Sequence, residues 1–245
     1  MEPETFYSNG KLLLTGEYVV LDGALSLALP TKLGQSMTIE EIEEPKVIWE
    51  SYDVHGKLWF ETEFRLVEFA FPFIYESVQG TKSTETENML LKILYQVGRQ
   101  HEYFFNAYEI RDKGLKISTK LDFPKNWGLG SSSTLINNLA NWAKVDAYQL
   151  LAKTFGGSGY DIACAKHNVP ITYQLINSSR EIKEVNFDPD FKENLFFVYL
   201  NKKQNSREGI DQYKSKNYNY SQEIISINKI TTEIIGCQTL VEFKL

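Results

Sequence analysis

Between Pro124 and Thr134 the chain reads PKNWGLGSSST, and an apolar-periodic run, LINNLANWAKV, follows it directly. Gly128 and Gly130 flank Leu129, three serines come next, and the pattern then becomes helical. Glycines permit the positive-φ backbone that turns successive N–H groups toward one point. A helix start adds unsatisfied donors and partial positive charge, and the hydroxyls of Ser131, Ser132 and Ser133 can reach a phosphate or a metal ion. The plainer reading is a serine N-cap on an ordinary helix, for which one serine suffices. Two glycines and three serines exceed that need, so the segment is read as an anion cradle. A Walker loop would end in Gly-Lys-Ser/Thr, and a dinucleotide fingerprint would place a third glycine where Ser133 stands. The HRD and DFG triplets of protein kinases are absent. The cradle is of another kind.

Composition narrows the setting. A chain of 245 residues, 42% hydrophobic and 24% charged, is ordinary for a soluble globular protein and allows one large domain or two small ones sharing a cleft. A net charge of −6 argues against a nucleic-acid partner, whose phosphates need a basic surface. No apolar run approaches the roughly 20 residues of a membrane span, and the N-terminus lacks the basic and apolar regions of a signal peptide. Cys164 and Cys237 have no metal-like spacing and read as buried thiols in a reducing compartment. A cytoplasmic protein is expected.

Taken in order, residues 4–21 read as two short strands around a turn at Gly16-Glu17, their apolar positions nearly continuous. Lys11 stands within this run, and alone it reads as a strand-edge lysine with a solvated head. Glu17 alone reads as an exposed turn carboxylate. After Asp22-Gly23, residues 24–30 form another short strand. Residues 35–43, 47–53 and 57–63 alternate in polarity and suggest an antiparallel meander, and 64–84 show no clear period. Residues 88–101 read as an amphipathic helix, 114–121 as a strand, and 132–144 and 147–155 as helices, the second capped by Asp146. In GGSGYDIACA, residues 156–165, three glycines in four positions precede Asp161. That carboxylate is either a helix-start aspartate or a positioned acid–base group, and the glycine density favours the second. Residues 170–175 and 181–185 resemble paired strands, and LFFVYL, 195–200, a buried strand. Residues 207–216 and 221–236 read as helices, and 240–245 as the opening of another. Lys202, Lys203, Ser206 and Arg207 form a basic start to the first of these, most simply a solvated cluster.

Together, Gly10-Lys11-Leu12-Leu13-Leu14-Thr15-Gly16-Glu17-Tyr18, the segment from Pro124 to Ser133, and Gly157 to Ala165 resemble three motifs of the GHMP kinase superfamily. The superfamily is named for galactokinase, homoserine kinase, mevalonate kinase and phosphomevalonate kinase. The resemblance runs from Gly10 to about Ile210. It is nearest to the mevalonate and phosphomevalonate kinases, and the GYDIA string at 159–163 is similar to the subgroup of that name.

The resemblance implies an α+β fold of two lobes: a ribosomal-protein-S5-like N-terminal lobe and an α/β C-terminal lobe. It assigns residues 1–165 to the N-terminal, ATP-binding domain and 166–245 to part of the C-terminal domain. ATP would lay its phosphates over Gly128, Leu129, Gly130, Ser131, Ser132 and Ser133, with Mg²⁺ held partly by Ser132. Asp161 would accept the proton of a substrate hydroxyl and Lys11 would offset transition-state charge. A small-molecule acceptor of the mevalonate-pathway kind would lie against Glu17, Tyr18, Gly159 and Tyr160, with His167 nearby. Exposed strands of the first lobe could pair in a homodimer.

Several features depart from the family pattern. Asn9 replaces the usual proline and Ser133 a frequent alanine. The interval from Ser132 to Asp161 is short and contains no glutamate, its only carboxylate being Asp146. The C-terminal glycine motif is missing, and the chain ends inside a helical pattern, as a truncated protein would. These features leave a second expectation beside the active kinase: a GHMP-fold protein that binds nucleotide or metabolite with little or no turnover, in a regulatory role.

Overall fold

The computed structural model describes residues 2–66, 75–77, 84–101, 113–177, 179–200, 206–216 and 218–244. Its strands are β1 (Glu4–Leu13), β2 (Ser26–Ile42), β3 (Val47–Tyr52), β4 (Leu58–Leu66), β5 (Tyr75–Ser77), β6 (Gly114–Leu121), β7 (Ile171–Ile176) and β8 (Ser179–Glu184). Its helices are α1 (Glu85–Gln100), α2 (Ser131–Ala143), α3 (Ala147–Thr154), α4 (Tyr160–Lys166), α5 (Ser206–Ser215), α6 (Ser221–Gly236) and α7 (Leu240–Phe243). The architecture is the expected α+β class. The chain forms two units: Met1–Ser8, Leu33–Lys125 and Ser131–Gly156 in the first, Asn9–Lys32, Asn126–Gly130 and Gly157–Leu245 in the second. No helix among the described residues is long and apolar enough to cross a membrane.

In the first unit the strand order is β5-β4-β3-β6-β2. Alternation sets the buried face: Val47, Trp49 and Ser51 of β3 and Leu115, Ile117, Thr119 and Leu121 of β6 point inward, every second residue. Helix α1 begins at a capping box between Thr84 and Glu87 and buries Leu90, Ile93, Leu94 and Val97, one face at helical spacing. Asp146 caps α3 by accepting the Tyr148 N–H at 2.8 Å.

Helix α2 is fastened through buried polar contacts. Thr134 Oγ1 donates to Gln35 Oε1 at 2.7 Å, Asn138 Nδ2 to the Gln35 carbonyl at 2.9 Å, and Ser8 Oγ to Asn138 Oδ1 at 2.7 Å. Asn137 Nδ2 donates to the same Ser8 hydroxyl at 2.9 Å. Hydrogen bonds constrain direction as well as distance, so this network fixes both the rotation and the height of the helix.

In the second unit β2 contributes its first residues, Ser26 to Ala28, antiparallel to Tyr173 to Ile171 of β7, and β7 pairs with β8. Val20, Ala28, Ala163, Cys164, Ile171 and Tyr173 form its core, with Leu13, Tyr160, Leu175 and Ile182 packed against it. Helix α6 is held by Thr231, whose hydroxyl donates to the Leu25 carbonyl at 2.9 Å, and by Asn228 Oδ1, which accepts the Leu25 N–H at 2.6 Å.

Four expectations are corrected. Residues 18–21 are no strand: positive φ at Gly16, Tyr18 and Gly23 turns the chain into a single 3₁₀ turn, Val19–Asp22, that buries Val20. An apolar run alone cannot separate a buried strand from a buried turn of helix. The strands expected at 24–30 and 35–43 are one strand, β2. Pro30 lies between the stretch paired with β7 and that paired with β6, where β7 and β6 ask for no donor from it. The meander is broken: β3 and β4 are antiparallel, but β6 pairs parallel with β3, Val47 opposite Leu115 through Tyr52 opposite Lys120, and takes the place expected for β2. LFFVYL forms no strand, and Phe196, Val198 and Leu200 are 82%, 83% and 83% exposed. Most of the segment without clear period, 64–84, lies outside the described residues, as do Lys202 and Lys203.

Candidate active site

The glycine loop enters through a 3₁₀ turn, Lys125–Trp127. Gly128 and Gly130 follow with φ of 75° and 88°, backbone that strongly favours glycine. A Cβ on Gly128 would meet nothing within 4 Å, so glycine is required there by the backbone and not by crowding, and open space remains beside the loop. Leu129 between them is buried. Helix α2 begins at Ser131. Ser132 is exposed, Ser131 partly buried, and Ser133 only 1% exposed. The open glycine turn runs directly into the start of this 13-residue helix.

Lys11 is brought to this loop by a backbone hydrogen bond, its N–H donating to the Leu129 carbonyl at 2.9 Å. Its Nζ lies 5.4 Å from the centroid of the Tyr160 ring, a cation–π arrangement. Tyr160 opens α4, whose N-cap is Gly159 at φ 93°, again a glycine geometry. Asp161 follows in the first turn of α4, and its Oδ1 accepts the Ile162 N–H at 3.0 Å. Thus Lys11, Gly128–Gly130, Gly159, Tyr160 and Asp161 all lie in the second unit, with Glu17 and Tyr18. Ser131–Ser133 belong to the first.

Electrostatics ties these side chains together. Burial, then the charges of Glu17 and Asp161, raise the Tyr160 phenol well above its usual range. Burial and the Asp161 charge push the Cys164 thiol up to about 12, while Lys11 pulls it down. Cys164 therefore senses the lysine and the aspartate at once. Among the described residues no group of three or more His, Cys, Asp or Glu could hold a metal.

Two contributors escape a reading of the sequence. Asn9, which stands where the family usually has proline, donates through Nδ2 to the His167 carbonyl at 2.7 Å and to Asn168 Oδ1 at 2.8 Å. It pins β1, and with it Lys11, to the end of the helix that carries Asp161. His167 lies with Nδ1 2.7 Å from the Ala163 carbonyl, closing its own helix. Cys164 is the other, legible only as a buried thiol until its neighbours are known.

No family model matches the sequence, and no curated protein matches it. Solved structures do. The mevalonate kinase of Methanococcus jannaschii is similar with a TM-score of 0.60 at 14% identity, over 98% of this chain and 74% of that one. The Streptococcus pneumoniae phosphomevalonate kinase in complex with phosphomevalonate and AMPPNP is similar with a TM-score of 0.58 at 14% identity, over 96% and 74%. A D-glycero-D-manno-heptose 1-phosphate kinase from Bacteroides thetaiotaomicron gives 0.55 at 17% identity, over 99% and 79%. With nearly the whole of its length superposing on these kinases, the chain has the GHMP kinase fold.

Proposed function

We propose that this chain is an ATP-dependent small-molecule kinase. The observation that carries the reading is the meeting of Lys11 with the glycine loop through the Lys11 N–H to Leu129 carbonyl bond, while its ammonium sits over the ring next to Asp161. ATP bound at Gly128–Gly130 and the helix start that follows would supply the γ-phosphoryl group. The loop N–H groups bind and orient its phosphates. Asp161 takes the proton of an acceptor hydroxyl as that oxygen bonds to the γ-phosphorus and the bond to the β–γ bridging oxygen breaks. Lys11 offsets the charge that builds during transfer. Residues 1–165 then form the ATP-binding domain, and the acceptor, a metabolite of the mevalonate-pathway kind, lies against Glu17, Tyr18, Gly159 and Tyr160.

An acceptor phosphate would behave differently, because its oxygen is already deprotonated and Asp161 has no proton to remove. Asp161→Asn separates the cases. With a hydroxyl acceptor, turnover should fall by roughly 10²–10⁴-fold while ATP affinity by calorimetry is kept. With a phosphate acceptor the loss should be far smaller. Full turnover of mevalonate by the variant would remove Asp161 as the base.

One observation favours a second reading. The interval from Ser132 to Asp161 contains no glutamate, which fits a protein that binds nucleotide with little turnover. ATP binding without transfer to mevalonate, phosphomevalonate or a sugar would support that reading over the first.

A further inference from the structure

The turn after β1 holds an outlier that the chemistry above leaves unused. Tyr18 has φ 61° and ψ −47°, and the Val19 N–H donates to the Glu17 carbonyl at 2.8 Å. That three-residue closure is a γ-turn of the rarer, positive-φ kind, which is strained. A bulky residue at its centre is sterically disfavoured. Such backbone persists only where its surroundings over-determine it, and it gathers at functional sites.

The surroundings here are α5. The Tyr213 ring stacks on Tyr18 with centroids 5.6 Å apart and planes 17° apart. Tyr213 is itself locked: it is buried, it stacks on Tyr220 at 4.7 Å, and its hydroxyl donates to the Asp22 carboxylate at the far end of the same turn. Gly209, one helical turn earlier, presents bare backbone to the tip of the Tyr18 ring. A Cβ there would run into the Tyr18 hydroxyl and lie 3.2 and 3.3 Å from Cζ and Cε1. Tyr18 is thus walled on one face by a ring and notched at its tip by a glycine. The turn bears on the candidate site, since Glu17 and Tyr18 both raise the Tyr160 phenol.

We propose that α5 positions the acceptor side of the site. Gly209 and Tyr213 hold Tyr18 in the strained turn, and the turn in consequence sets Glu17 and Tyr18 beside Tyr160 and Asp161. Gly209 and Tyr213 are positioning residues that act through Tyr18. The functional half of this inference rests on the kinase reading; the coupling of Gly209 to the Tyr18 hydroxyl does not.

The test compares four proteins: the natural chain, Gly209→Ala, Tyr18→Phe and the double variant. Each is followed by thermal unfolding and by kinetics with ATP and whichever of mevalonate, phosphomevalonate or galactose is turned over. Helix propensity alone predicts that alanine at 209 raises the melting temperature. The clamp predicts a fall, together with an acceptor KM raised about 10-fold and an unchanged KM for ATP, since small displacements at a site are costly. In the Tyr18→Phe background the hydroxyl in the way is gone, so alanine at 209 should raise the melting temperature and leave KM nearly where Tyr18→Phe put it. Equal effects in both backgrounds would overturn the clamp. A fall in stability with an unchanged acceptor KM would overturn the positioning role. Should Gly209→Ala not fold, Tyr213→Leu, which removes the wall, carries the same expectation for the two KM values. A natural chain that turns over none of the three acceptors would count against the kinase reading and the positioning role together, and the thermal cycle would still decide the clamp.

Discussion

A single thiol reports the field of the candidate site. Cys164 is 0% exposed, and its pKa of about 12 is set by burial, by Asp161 in the same direction and by Lys11 in the opposite one. Asp161→Asn should therefore lower the Cys164 pKa, and Lys11→Met should raise it. Thiolate absorbance against pH in a Cys237→Ser background would measure both, without any need for turnover. Opposite or absent shifts would show that neither charge reaches the thiol. The same group has a consequence for stability. Its folded pKa lies above the unfolded value near 9, so its contribution is intact below pH 9 and is lost as pH climbs from 9 toward 12, where the unfolded thiol ionises first. Much of this scale was legible in the sequence. Lys11, Asp161 and the two loop glycines are singled out by the motifs around them, and Gly128, Gly130 and Gly159 take the positive φ that glycine permits. Tyr18 was not legible as a strained centre, because nothing in the type of a tyrosine announces a positive φ that its neighbours impose.

Among the elements, α2 should be sensitive to changes that its apolar pattern does not foretell. Asn138 links Ser8 and the Gln35 carbonyl from a fully buried position. Asn138→Ala strands both partners, and a destabilisation of about 1–3 kcal/mol is expected in denaturant unfolding; a change within about 0.5 kcal/mol would show that the network does little. Gly130→Val forces a branched residue to φ 88° and should abolish ATP binding by calorimetry while the melting transition stays cooperative. Elements with strong local signals were found from the sequence. The strand at 114–121 alternates cleanly, and the helix at 147–154 announces its cap through Asp146. Elements whose identity rests on distant partners were not. Gly34 falls between the strands expected at 24–30 and 35–43, yet it sits inside β2, where a side chain would strike the Ser8 carbonyl and the Tyr7 ring. The exposure of 195–200 likewise depends on what distant residues pack against it, a matter on which six apolar letters are silent.

For the molecule as a whole, that segment gives a clean test. Phe196 and Leu200 are 82% and 83% exposed, so replacing both with serine should shift unfolding stability by less than about 0.5 kcal/mol per site. A loss several times larger would mean that they are buried in solution. Similarity at 14–17% identity to three kinases named for different substrates fixes the fold and leaves the acceptor to be established by assay. Strand β2 has a further consequence, one that concerns synthesis. Its residues Gln35–Ile42 pair with Gly114–Leu121, whereas Ser26 to Ala28 wait for Ile171 to Tyr173. A ribosome must add roughly 150 residues between the first of these partners and the last, which takes on the order of 10 s. In the last third of that interval, once Leu121 has been added, β2 can pair with β6 along one part while the other still waits for β7, an open edge to which chaperones, or a neighbouring nascent chain, have first access.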